Sequence, residues 1–83
     1  MSSTIDIIVQ LPSGFRFPLE IEEDAYTVYL KEDIEDKRGI PFFAQKLIAN
    51  GEILEDGYTM KEQNITKNSV VHVKTHIPKG RFG

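Results

Sequence analysis

Eighty-three residues with no cysteine and a net charge of −3 describe one small domain that must close its core by packing alone, without disulfides or thiolate metal sites. No apolar run approaches the roughly 18 to 20 residues of a membrane span, and residues 1–4 lack the basic and apolar regions of a signal peptide, so the chain is expected in the cytoplasm or nucleus, away from membranes. Lys74, Lys79 and Arg81 give the last ten residues +3 and leave 7 basic against 13 acidic side chains, or −6, before them. That acidic body argues against non-specific nucleic-acid binding, while the basic tail could meet phosphate or an acidic groove.

Ile5, Ile7, Val9 and Leu11 alternate with Asp6, Ile8 and Gln10, and after Pro12-Ser13-Gly14 the residues Phe15, Phe17, Leu19 and Ile21 alternate with Arg16, Pro18 and Glu20. This is the pattern of a β-hairpin, with Gly14 supplying the positive φ of the connection. Pro18 lacks an N–H and places the second strand at the sheet edge or turns that position to solvent.

Glu22-Glu23-Asp24 then leads into a helix for which Thr27 is the expected N-cap. Leu30 and Ile34 form its apolar stripe, with Val28 or Thr27 completing it, and Glu32, Asp33, Glu35 and Asp36 are expected to face water. Lys37-Arg38-Gly39 ends the helix, and Pro41 prevents its continuation.

A strand over Gln45–Ala49 is followed by the hairpin dipeptide Asn50-Gly51 and a short return strand beginning at Glu52-Ile53. Asp56-Gly57 marks another turn, a helical turn is predicted over 60–63, and residues 69–75 alternate as a last strand. The order is ββαββ, a helical turn and a final strand: an α+β domain with a mixed sheet and one helix on one face. The predicted core is Ile7, Val9, Phe17, Leu19, Ile21, Leu30, Ile34, Leu47, Leu54, Met60, Ile65, Val71 and Val73. Residues 5–75 form the domain, 1–4 a flexible head and 76–83 a flexible basic tail.

Little here supports catalysis. Neither Ser13 nor Ser69 lies in a local pattern that pairs it with a base, and His72 and His76, four apart on a strand, stand roughly 13 Å apart, too far to share a metal. The acids at 32–36 lack the alternating oxygen ligands and central glycine of a calcium loop. A non-enzymatic domain without metal or cofactor is the expectation.

From Asp36 to Val73 the ordered set Asp36-Lys37-Arg38-Gly39-Ile40-Pro41, Gln45-Lys46-Leu47-Ile48-Ala49-Asn50-Gly51-Glu52-Ile53-Leu54-Glu55-Asp56-Gly57, Thr59-Met60, Asn64-Ile65 and Ser69-Val70-Val71-His72-Val73 resembles the ubiquitin-like family. The resemblance covers nearly all of residues 5–75 and implies the β-grasp arrangement, in which the last strand lies beside the first. It also implies that Lys31 pairs with Asp56 structurally, and that partners dock on the sheet face turned away from the helix. By strand parity that face carries Ile8, Gln10, Lys46, Ile48, His72 and Lys74. Ile48 and His72 match the family's apolar patch, whereas Pro12 and Lys74 stand where leucine and valine are expected. The expected partners are proteins with ubiquitin-binding-type domains, or ubiquitin-like processing enzymes, acting on a monomer.

Of the family's linkage lysines, Lys31, Lys37 and Lys67 match, while Gln10, Phe15, Asp33 and Glu52 occupy the other positions. The tail Thr75-His76-Ile77-Pro78-Lys79-Gly80-Arg81-Phe82-Gly83 lacks the paired glycines of a conjugated modifier. Three readings stay open: an interaction module, a covalent modifier joined through Gly83 or through Gly80 after processing, and an RNA-contacting tail using Lys79 and Arg81. The last rests on Ile8-Val9-Gln10-Leu11-Pro12, Gln45-Lys46-Leu47 and Gly80-Arg81, which are similar to the ubiquitin-like domain of the splicing factor 3a large subunit.

Overall fold

The computed structural model describes residues 3–76. A first strand β1 (Thr4–Gln10) turns through Leu11 to Phe15 into β2 (Arg16–Glu22), then a helix α1 (Thr27–Arg38), a 3-10 turn (Phe42–Ala44), strands β3 (Gln45–Ala49) and β4 (Glu52–Ile53), a second 3-10 turn (Lys61–Gln63) and β5 (Val70–Thr75). The five strands form one sheet in the order β2-β1-β5-β3-β4. β1 and β5 run parallel, with Val9 beside Val71, and the other neighbours are antiparallel. This is the β-grasp arrangement, and it puts β2 with Pro18 on an edge, as a missing N–H requires.

Period-2 alternation sends Ile7, Val9, Leu19, Ile21, Leu47, Ala49, Val71 and Val73 to the helix side, where Leu30 and Ile34 meet them and Leu54, Met60 and Ile65 close the far end. Of the predicted core only Phe17 differs: it is half-buried and packs against the cluster from outside, beside Phe15 and the Arg38 guanidinium. Leu11, Ala44, Ala49, Thr27 and Gln45 are buried in addition. Gln45 holds its place because its Nε2 donates to the carbonyls of Lys31 and Ile40, tying the helix to the segment that leaves it.

Thr27 is not the N-cap. Tyr26 occupies that position without a side-chain cap, and Thr27 is the first helical residue. The reason is burial: Thr27 is fully enclosed, its hydroxyl donating to Tyr58 O and accepting from Gln63 Nε2, so the oxygen points into the protein rather than back to the helix N–H groups. At the other end Gly39 adopts φ 76° and its N–H closes on Glu35 O, the left-handed stop expected of glycine there. The acidic helix face is less uniformly wet than predicted, since Asp33 and Glu35 are half-buried and Glu35 Oε1 accepts the Phe42 N–H at 3.3 Å.

Strand β1 already includes Thr4, and the Ser3 carbonyl accepts the Glu23 N–H. At the other terminus the His76 N–H donates to Ala44 O.

Candidate docking face on the open side of the sheet

Because β1, β3 and β5 bury alternate residues under the helix, their remaining side chains form the opposite face. The Asn50-Gly51 turn, with φ 55° and 77°, fixes the register of β3 against β4. Ala49 pairs with Glu52 and Ile48 with Ile53. The β5 pairings continue the row, since Ile48 faces His72, His72 faces Gln10, and Gln10 faces Arg16. One line of side chains thus crosses the whole sheet: Arg16, Gln10, His72, Ile48, Ile53. A second row holds Pro18, Ile8 and Val70, and a third sets Lys46 directly opposite Lys74.

All six positions inferred from strand parity lie on this face. Ile48, His72 and Gln10 are immediate neighbours, but Ile8 belongs to the adjoining row, with β5 between it and Ile48. Pro12 is exposed and shares with Gln10, Leu11, His72, Val73, Lys74 and Thr75 a shallow groove of about 420 Å³. Arg16 Nε donates to Gln10 Oε1 at 2.8 Å, which pins that carboxamide at the groove's edge.

Electrostatics distinguish the two ends of the face. Lys46, Lys74 and Arg16 are exposed, and neither Lys46 nor Lys74 has an ion pair among the described residues. Two lysines directly opposite in an antiparallel pair repel each other. Across Ile48, the outer side of β4 borders a second groove of about 210 Å³ lined by Glu52, Ile53, Leu54, Glu55, Tyr58, Glu62, Gln63 and Asn64. Parity over β1, β3 and β5 omits Ile53, which is 57% exposed. The two-residue turn held the missing signal, because counting outward from Asn50-Gly51 reaches the Ile48–Ile53 pair at the second step.

The Lys31 ammonium meets Asp56 Oδ1 at 2.8 Å, the pairing the resemblance implied, with the lysine side chain only 13% exposed. Lys37 and Lys67 are exposed. Burial, and then the neighbouring Asp36, pushes the Asp33 carboxyl above its usual range, with Lys37 opposing. No group of three or more His, Asp or Glu side chains suited to a metal occurs among the described residues, and no described helix is long and apolar enough to cross a membrane. The tail positions Lys79, Gly80, Arg81 and Gly83 lie outside the described residues.

The model of the family described as "Ubiquitin family" matches residues 7–77. NEDD8-like protein RUB3 of Arabidopsis thaliana is 33% identical over 69 residues, which is 83% of this chain and 88% of RUB3. The E3 ubiquitin-protein ligase parkin of Rattus norvegicus is 27% identical over 67 residues, or 81% of this chain, and the match spans only 14% of parkin's length. Among solved structures, a protein designed on the basis of ubiquitin superposes with a TM-score of 0.83 at 25% identity, covering 93% of this chain and 94% of the design. A family match along almost the whole described domain and a superposition that covers nearly the whole of both chains agree: this chain belongs to the ubiquitin family.

Proposed function

We propose that the chain acts without catalysis, as a protein-interaction module that receives partner domains on the open face of its sheet, in the cytoplasm or nucleus. The observation that carries this reading is the row Gln10–His72–Ile48–Ile53. It sets two aliphatic side chains on a five-stranded platform whose other side is filled by the helix. Ile8, Pro12, Lys46 and Lys74 border the row and set which partners fit. Fully burying an isoleucine contributes about 1.5–3 kcal/mol, so Ile48→Ala is expected to weaken binding of a ubiquitin-binding-type helical domain about tenfold or more. The check is a titration followed by amide NMR shifts. Unchanged affinity in Ile48→Ala, with partner-induced shifts elsewhere on the molecule, would remove the face from the account.

A second reading is favoured by one observation, the match to NEDD8-like RUB3 along 88% of that protein's length. In that reading the chain is a covalent modifier joined through Gly83, or through Gly80 after processing. Trypsin would cleave after Arg81 and leave Phe-Gly on the modified lysine. Finding that remnant on proteins purified under denaturing conditions, and losing it on deletion of Gly83, supports conjugation; a search that returns only non-covalent partners leaves the docking module alone.

A further inference from the structure

The docking face is polarised from end to end, and the polarity selects the partner. His72 of β5 faces Ile48, and one row further along the strands Lys46 of β3 opposes Lys74 of β5, the two lysines without a carboxylate in an ion pair among the described residues. On the β4 side the exposed Ile53 prolongs the apolar line, and beyond it lies the groove bounded by Glu52, Glu55 and Glu62 with the half-exposed Tyr58. No lysine, arginine or histidine lines that groove. A segment running obliquely from the Lys46–Lys74 row over Ile48 and Ile53 therefore meets cations, then aliphatic surface, then carboxylates.

We propose that the cognate partner is a charge-segregated segment: carboxylates at the end that covers Lys46 and Lys74, an aliphatic middle on Ile48 and Ile53, and lysine or arginine at the end that enters the Glu52/Glu55/Glu62 groove. Charge complementarity decides this occupant. An acidic end relieves the Lys46–Lys74 repulsion, a basic end answers three carboxylates, and a uniformly charged segment would gain at one end and be repelled at the other. Strands lie about 4.8 Å apart and residues rise about 3.4 Å along them, so Lys74, two strands across and two residues along from Ile53, stands about 12 Å from it. With a groove at each end the path is on the order of 20 Å, which a helix covers in about 14 residues. The inference rests on the sheet-face reading above and deepens it by stating the partner's chemistry.

The test uses a synthetic helical peptide of about that length, with glutamates in its first turn, a leucine stripe in the middle and lysines in its last turn. It is titrated into the full chain and into three variants: Lys46→Glu with Lys74→Glu, Glu52→Lys with Glu55→Lys, and all four together. Each altered residue is exposed, and a thermal melt checks that each variant folds. In the unaltered chain the peptide is expected to shift the Ile48 and Ile53 amides, and a spin label on its N-terminus to broaden Lys46 and Lys74. Each double variant is expected to bind at least tenfold more weakly. The four-fold variant is expected to recover binding to within about threefold, with the label now broadening residues 52 and 55 because the peptide has turned round. Undiminished binding in both double variants, with Ile48 still shifting, overturns the polarity and leaves the sheet face standing. A peptide that never shifts Ile48 or Ile53 overturns both.

Discussion

Gln63 is the residue whose loss should be felt furthest from its own position. Its Oε1 accepts the Glu55 N–H at 2.7 Å, and its Nε2 donates to Thr27 Oγ1 at 2.7 Å while lying 3.2 Å from the carbonyls of Tyr58 and Thr59. One carboxamide thus ties the 3-10 turn to the segment after β4 and to the first turn of the helix. Gln63→Ala removes two short hydrogen bonds and strips the fully buried Thr27 oxygen of its donor. At about 0.5–1.5 kcal/mol net per bond the expected cost is about 2 kcal/mol. For a domain of this size that is a fall in Tm of about 8–16 °C. Thr27→Val keeps the shape, and Gln63 Nε2 can still reach two carbonyls, so its cost should be nearer 1 kcal/mol. The two substitutions delete the same 2.7 Å bond, so the double variant should cost less than their sum by about 0.5 kcal/mol or more. Urea unfolding of the four proteins measures all three quantities. Additive losses, or a Gln63→Ala cost below about 0.5 kcal/mol, would refute the claim that this network holds the turn to the helix.

Two further outcomes follow from the charged groups. Asp56→Ala leaves the ammonium of the mostly buried Lys31 side chain without its partner and should cost about 1–2 kcal/mol, a figure kept low because the Asp56 side chain is 56% exposed. Lys31→Met retains the buried stem and frees an exposed carboxylate, so it should change stability by less than about 0.5 kcal/mol; equal costs in denaturant melts would contradict this asymmetry. Asp33 has its pKa raised by burial and then by Asp36, so its stabilising contribution is present below the usual value of 3.8 and is lost as pH rises through the folded value. Asp33→Asn should therefore raise Tm slightly at neutral pH and not in acid, and a gain that grew on acidification would show the sign to be wrong.

The elements were legible in the sequence where local chemistry and tertiary packing demand the same thing. Gly39 and Asn50-Gly51 need positive φ and have it, and the strands bury the residues that their alternation marks. Thr27 shows where a local rule loses. A threonine before an apolar stripe reads as a cap, but this one sits where the chain bridges to Thr59 through Tyr26, and its hydroxyl is drawn into contacts with Tyr58 and Gln63, 31 and 36 residues away. Phe17 is a similar case, because alternation gives it an inward side while its place on the edge strand gives it only half a cover, which Arg38 shares from above the ring at 5.8 Å.

The face was legible by parity and its extent was not, for a physical reason that also bears on function. Core and face residues alternate along β1, β3 and β5, so a substitution on the face leaves the core contacts untouched and costs the fold little. Lys74 in place of an expected valine is tolerated on those terms, while Pro12 in the β1–β2 turn and Glu52 on β4 are exposed and outside the core. Several residues that carry the family resemblance, such as Leu47, Ile65, Val71 and Val73, are buried and say nothing about a partner. Those on the proposed docking face are free to diverge, and here Lys74 stands opposite Lys46 while glutamates line the groove beyond β4. Ile53 fits the same pattern. An exposed isoleucine on a two-residue edge strand contributes nothing to the core and invites unwanted edge pairing, a hazard that a neighbouring glutamate such as Glu52 limits. Its alignment with Ile48 puts it where the proposed docking would use it.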